Sequence, residues 1–149
     1  MDVCEWLDNY KKVDELITGK RAEKKQLLNE RQRLIDIATD ISAKMPDGMP
    51  YSNTGTVSQK MQNAVIAKVL IDGEIRNTEN AISAYIAFKN EVIRAVEKLP
   101  EIEYSVIHRY YIRGMTIEKI AEEIGYSTRQ IKRIKKRALA MLGNITVTI

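Results

Sequence analysis

Read for its apolar positions alone, the chain has two textures. From Trp6 onward the apolar residues return at steps of three and four: Trp6, Tyr10, Val13 and Ile17, then Leu27, Leu34, Ala38, Ile41 and Met45. This is the repeat of an amphipathic helix close to heptad spacing. Lys20, Lys24 and Arg31 interrupt the stripe and Gly19 is a candidate break, so the segment about 3–45 reads as one long helix or two in line. A second periodic run, about 57–98, carries Met61, Val65, Val69, Ile75, Ile82, Ile86, Ile93 and Val96 and is closed by Pro100. Between them MPDGMPYSNTGT has the Pro, Gly, Ser and Asn content of a loop, about 45–56. At about 1.5 Å per residue each arm would span roughly 60 Å. Two arms of near-equal length joined by a short loop predict an antiparallel helical hairpin within one chain. The alternative is that each arm pairs with a second copy.

After Pro100 the pattern shortens into EIEYSVIHRYYIRG, MTIEKIAEEIG and YSTRQIKRIKKRALAMLG. A first helix over about 101–112 offers Ile102, Val106, Ile107 and Tyr110 to a core. Thr116 is placed to cap IEKIAEEI, whose stripe is Ile117, Ile120, Ala121 and Ile124, and Lys119 stands where a full capping box has Glu. Gly125 suits the left-handed residue that stops a helix. Ser127 is a good N-cap for a last helix, 128–142. Only Gly125, Tyr126 and Ser127 separate the two helices, which is helix-turn-helix spacing, and the small Ala121 permits close packing. Gly143 is expected to end the last helix, and NITVTI (144–149) to be a stray strand or a disordered tail. The fold class is therefore all-α. Residues 1–98 form a hairpin arm, 99–143 a three-helix helix-turn-helix module, and 144–149 a tail.

Charge sharpens the picture. Residues 1–100 hold fifteen Lys or Arg and fifteen Asp or Glu; residues 101–149 hold nine and five, so the net +4 lies entirely in the last third. Between Ser127 and Leu142 there are six basic residues and no acidic one. At 100° per residue Ile131, Ile134, Ala138 and Leu142 share one sector, with Met141 at its edge, while Arg129, Lys132, Arg133 and Lys136 lie opposite. One face packs and the other is cationic, which suits a helix entering the DNA major groove. Thr128, Arg129, Lys132 and Arg133, near the helix start, are the candidates to read base edges. Ser127, Gln130, Lys136 and Arg137 are the candidates to contact phosphates, Gln130 lying toward the flank.

These residues resemble a family. LPEIEYSVIHRYYIRGMTIEKIAEEIGYSTRQIKRIKKRALAML looks like the fourth region of bacterial RNA polymerase sigma factors. The resemblance rests on Leu99, Pro100, Arg109, Tyr110, Gly114, Thr116, Ile120, Ala121, Gly125, Ser127, Ala138, Leu139 and Leu142, with Lys119 in place of the usual Glu. It implies a reader of promoter DNA that can also touch RNA polymerase, and the family's base-reading positions map to Thr128, Arg129, Lys132 and Arg133. The polymerase-binding and minus-ten modules of a full sigma factor are missing from this sequence. Helical arm plus this module is similar to phage or prophage regulators of the ArpU/RinA type, which implies a transcriptional regulator.

Little in the chain suggests other chemistry. His108 and Cys4 are single, too few for the common zinc sites or a hydrolytic triad, and neither GxxxxGK[ST] nor GxGxxG occurs. No enzyme activity, metal or cofactor is expected. A lone Cys, an N-terminus of acidic character and no apolar run of about 18 residues point to a cytoplasmic protein away from membranes. The expected partners are double-stranded DNA, bacterial RNA polymerase, and a second copy as homodimer or other homo-oligomer through the N-terminal helices. Two readings compete with the regulator: a small-terminase-like DNA-packaging subunit, and a helical adaptor whose basic helix docks an acidic protein.

Overall fold

The structure, a computed structural model, describes residues 2–43 and 55–147. It is all-helical over those residues: α1 (Val3–Ala43), α2 (Gly55–Glu97), α3 (Glu101–Ile107) continuing as a π-helical turn (His108–Ile112), α4 (Ile117–Ile124) and α5 (Thr128–Val147). Among the described residues no helix is long and apolar enough to cross a membrane. Contacts divide the chain into two compact units: Met1–Ile17 with Ala84–Ile149, and Thr18–Ser83.

In the second unit the two arms pack together as an antiparallel pair. Lys24 meets Glu79 at 3.1 Å and Arg31 meets Asp72 at 2.7 Å, so a step of seven forward on α1 matches seven back on α2. Ala64, Ile75 and Thr78 are buried between them, and the Thr78 hydroxyl donates to the Glu74 carbonyl at 2.9 Å. Exposed pairs of this kind stabilise little individually but fix register. Gly19 does not break α1. A helical glycine costs only about 1 kcal/mol against alanine, less than the packing of Val13 and Ile17 just before it.

Two expectations for the arms change. The loop expected at 45–56 lies outside the described residues except at Gly55 and Thr56, which already belong to α2. On α2, Val65, Val69 and Ile86 are exposed, Val69 by 63%. Repeated steps of four advance about 40° beyond a full turn each time, so a stripe of fours drifts off the packed face. Ala64, Val92 and Ala95 occupy that face instead.

The first unit has two apolar cores. One unites Trp6, Leu7 and Tyr10 of α1, Val92, Ala95 and Val96 of α2, Leu99, and Ile107, Tyr111, Ala138 and Leu142. Trp6 meets Phe88 edge-on at 6.2 Å between ring centroids, and Asp14 pairs with Lys89 on the same two helices. The other core lies within the C-terminal helices: Val106, Ile120, Ala121, Ile131 and Ile134. Adjacent residues on α3, Val106 and Ile107, thus look into different cores, and α5 serves one with its first half and the other with its second. The boundary expected at 98–99 therefore falls inside this unit, because the hairpin base and the C-terminal helices share buried side chains.

The helix expected over 101–112 also changes form. After Ile107 the backbone widens, and the Arg113 N–H donates to the His108 carbonyl at 2.9 Å, five residues back. A π turn inserts one residue per turn and rotates the residues beyond it about the helix axis. Tyr111, and not Tyr110, takes the deeply buried place. Burial pushes the Tyr111 phenol far above its ordinary range, with Cys4 and Asp8 adding to the effect, so it stays neutral in the core. His108 lies against Tyr104, ring centroids 5.4 Å apart.

The last helix does not stop at Gly143 but runs to Val147, and residues 148–149 lie outside the described ones. Gly143 faces the start of α1: a Cβ there would touch Val3 Cγ2 at 3.7 Å. Ile145 packs on the shared core, and the Thr146 hydroxyl donates to the Leu142 carbonyl at 3.0 Å. Tertiary contact outweighs the glycine stop signal.

The shared core predicts that Leu7→Ala, far in sequence from the C-terminal module, lowers the stability of the unit containing α5 by about 2–5 kcal/mol. Urea unfolding followed by helical circular dichroism measures it.

Candidate nucleic-acid interface

The turn between α4 and α5 is held by its own chemistry. Thr116 caps α4, its Oγ1 accepting the Lys119 N–H at 3.3 Å. Gly125 ends α4 in the left-handed region, φ 81°, and the Gly125 and Tyr126 N–H groups both reach the Ala121 carbonyl at 2.9 and 3.1 Å. A residue with a Cβ would be strained there. Gly114, φ 67°, does the same for the end of the π turn, where the Met115 N–H donates to the Arg109 carbonyl at 2.9 Å.

Ser127 and Gln130 form a reciprocal capping box at the start of α5. The Gln130 N–H donates to Ser127 Oγ at 3.2 Å, and the Ser127 N–H donates to Gln130 Oε1 at 2.9 Å. Two free donors of the first turn are thereby satisfied. Gln130, expected at a phosphate, is turned back onto the backbone, and Ser127 is engaged with it. The Ser-x-x-Gln spacing carries this signal in the sequence.

Ile131, Ile134, Ala138 and Leu142 hold the inner face of α5, all buried. On the outside Thr128, Arg129, Lys132, Arg133 and Lys136 are exposed. Among the described residues none of these four cations has a carboxylate within ion-pair distance. The four base-reading candidates and Lys136 thus lie together on one uncompensated face.

Arg137 behaves differently. Its Nε donates to Glu103 Oε1 at 2.7 Å and its Nη2 lies 2.6 Å from the same oxygen. The Glu103 side chain is 5% exposed against 56% for Arg137. Arg137, expected at a phosphate, is the partner that neutralises a buried carboxylate on α3. A second clamp joins the π turn to α4: Arg109 pairs with Glu123 at 3.1 Å and also bonds the Ser105 hydroxyl. Lys135 extends over the Tyr110 ring, its Nζ 3.8 Å from the centroid. Neither Glu103 nor Lys135 stands out in the sequence, since each acts on a partner distant along the chain.

This is a helix-turn-helix with an exposed three-residue turn, two caps, two ion-pair clamps and a free cationic outer face. Residues 95–142 match the family model described as Sigma-70, region 4. Nothing matches the chain among curated proteins or among solved structures. The matched segment is a helix-turn-helix similar to sigma region 4, a likeness that suggests DNA binding. It begins on α2, so Ala95, Val96 and Leu99, which belong to the core shared with α1, are part of the match.

Removing Arg137 leaves the buried Glu103 carboxylate unpaired. Arg137→Ala is expected to cost about 1–3 kcal/mol of stability, whereas Lys136→Ala, one residue away on the free face, stays within about 0.5 kcal/mol. Paired urea titrations distinguish the two.

Proposed function

We propose that the chain is a sequence-specific DNA-binding transcription regulator of the phage or prophage type, which inserts α5 into the major groove. One observation carries the reading: the exposed cations of α5 are left uncompensated, while the one cation that would blur the face, Arg137, is drawn away to Glu103. Arg129, Lys132 and Arg133, with Thr128, sit in the first two turns, where a docked recognition helix reaches base edges. Arg is suited to the O6 and N7 acceptors of guanine. Lys136, farther along, suits backbone phosphate, and RNA polymerase is the second partner that a sigma region 4-like module suggests.

A single module of this size covers few base pairs, so the reading also calls for a second copy. The exposed apolar side chains Val65, Ile66, Val69 and Leu70 on α2 support association through the arm, since apolar side chains can meet about a two-fold axis without repulsion.

Selection from a random duplex pool at about 0.15 M salt, where nonspecific binding is weak, tests the reading. An enriched motif is expected, and a two-fold repeat in it would show the second copy. Arg129→Ala or Arg133→Ala should flatten the preference at one position, a loss of about 1–3 kcal/mol. Lys136→Ala should weaken every sequence alike. Retention without enrichment would favour a packaging role, and no retention at all would favour an acidic protein partner.

A further inference from the structure

The segment that matches the family model starts at residue 95, yet one cation outside it converges on the same corner of the module. Lys11, on α1, places its Nζ 4.9 Å from the centroid of the Tyr110 ring, and Lys135, on α5, places its own at 3.8 Å. Both also lie near Tyr111, at 5.3 and 5.5 Å. The two ammonium groups can be no farther apart than the two Tyr110 distances laid end to end. Lys135 also lines a groove with Ile117, Lys132, Lys136 and Leu139. Lys132 and Lys136 belong to the exposed face of α5, so the groove and that face are continuous.

Ring faces compensate part of an ammonium charge, but they do not remove the repulsion between neighbouring cations. Asp8 is one carboxylate that bears on this corner, through Tyr111. Among the described residues Lys11, Lys132, Lys135 and Lys136 have no carboxylate within ion-pair distance. A row of unneutralised ammonium groups along one flank of a groove-binding helix matches a ligand with many evenly spaced anions. One strand of duplex DNA, running beside a helix in its major groove, is such a ligand.

Resting on the DNA-binding reading above, we infer that Lys11 extends the phosphate-binding surface from α5 onto the hairpin base, so that α1 takes part in holding DNA. Lys135 and Tyr110 position it: Tyr110 gives both ammonium groups a common platform, and Lys135 bridges Lys11 to the groove.

The test is fluorescence anisotropy of the full chain with a labelled duplex of about 25 base pairs, between 50 and 200 mM salt. Lys11→Gln is expected to weaken binding of all sequences alike and to lower the slope of log affinity against log salt by about one. Its affinity would then fall roughly threefold to fourfold less across that range than that of the wild type. Lys11→Arg should restore the slope, and Lys25→Gln, an exposed lysine elsewhere on α1, should leave it unchanged. If Lys11→Gln keeps the wild-type slope while Lys136→Ala lowers it, the hairpin base does not touch DNA, although the DNA reading stands. If the wild type itself binds no duplex, both fall. If Lys11→Gln spares duplex binding but abolishes binding of polyglutamate, the corner takes a protein.

Discussion

Everything in the first compact unit hangs on a shared core in which two ends of the chain meet. Trp6, Leu7 and Tyr10 come from the start of α1, Val92, Ala95 and Val96 from the end of α2, and Ala138 and Leu142 from the far half of α5. None of these helices could bury its stripe alone. The helix-turn-helix core is small, five buried side chains with Ala121 among them, and a core of that size stabilises a free-standing domain poorly. Joining α3 and α5 to the hairpin base enlarges the buried surface without adding residues to the exposed cationic face of α5. The same arrangement explains why α5 outlasts Gly143, since its last turns rest on α1 and not on solvent.

Polar contacts then set orientation on top of that burial. The Ser127–Gln130 box and the left-handed Gly125 fix where α5 begins. Arg137 with Glu103 and Arg109 with Glu123 tie α5 to α3 and α4 to the π turn. In both clamps a cation is drawn to a carboxylate on another helix, and what remains outward is a face of one sign. A preorganised cationic surface of this kind loses little conformational entropy on meeting a rigid polyanion.

Much of this is legible in the sequence, for identifiable reasons. Helical period is a matter of geometry, so Trp6, Tyr10, Val13 and Ile17 read as a buried stripe from their spacing alone, as do Ile131, Ile134, Ala138 and Leu142. The Gly125 turn and the Thr116 and Ser127 caps are equally plain, because those conformations and bonds are local. Spacing misleads on α2, where steps of four accumulate, and at Gly143, where a weak local signal meets tertiary packing. Arg137 looks like one more surface cation, since its partner Glu103 lies 34 residues away. Gln130 looks like a phosphate contact from its place near the basic face, although its spacing from Ser127 already spells a capping box. Whether Tyr110 or Tyr111 enters the core depends on the π turn, which arises from packing and not from any local pattern. Nothing short of the fold connects Lys11 to α5.

Native-state amide exchange tests the claim of a shared core most directly. The amides of Leu7, Val96, Ile107 and Leu142 should open with one common free energy, and added denaturant should lower all four together, as in a single cooperative unit. If the Leu7 and Val96 amides exchange at markedly lower free energy while those of α4 and α5 remain protected, the helix-turn-helix is stable by itself. The hairpin base would then be an appendage, and the shared core would not be what holds α5 in place.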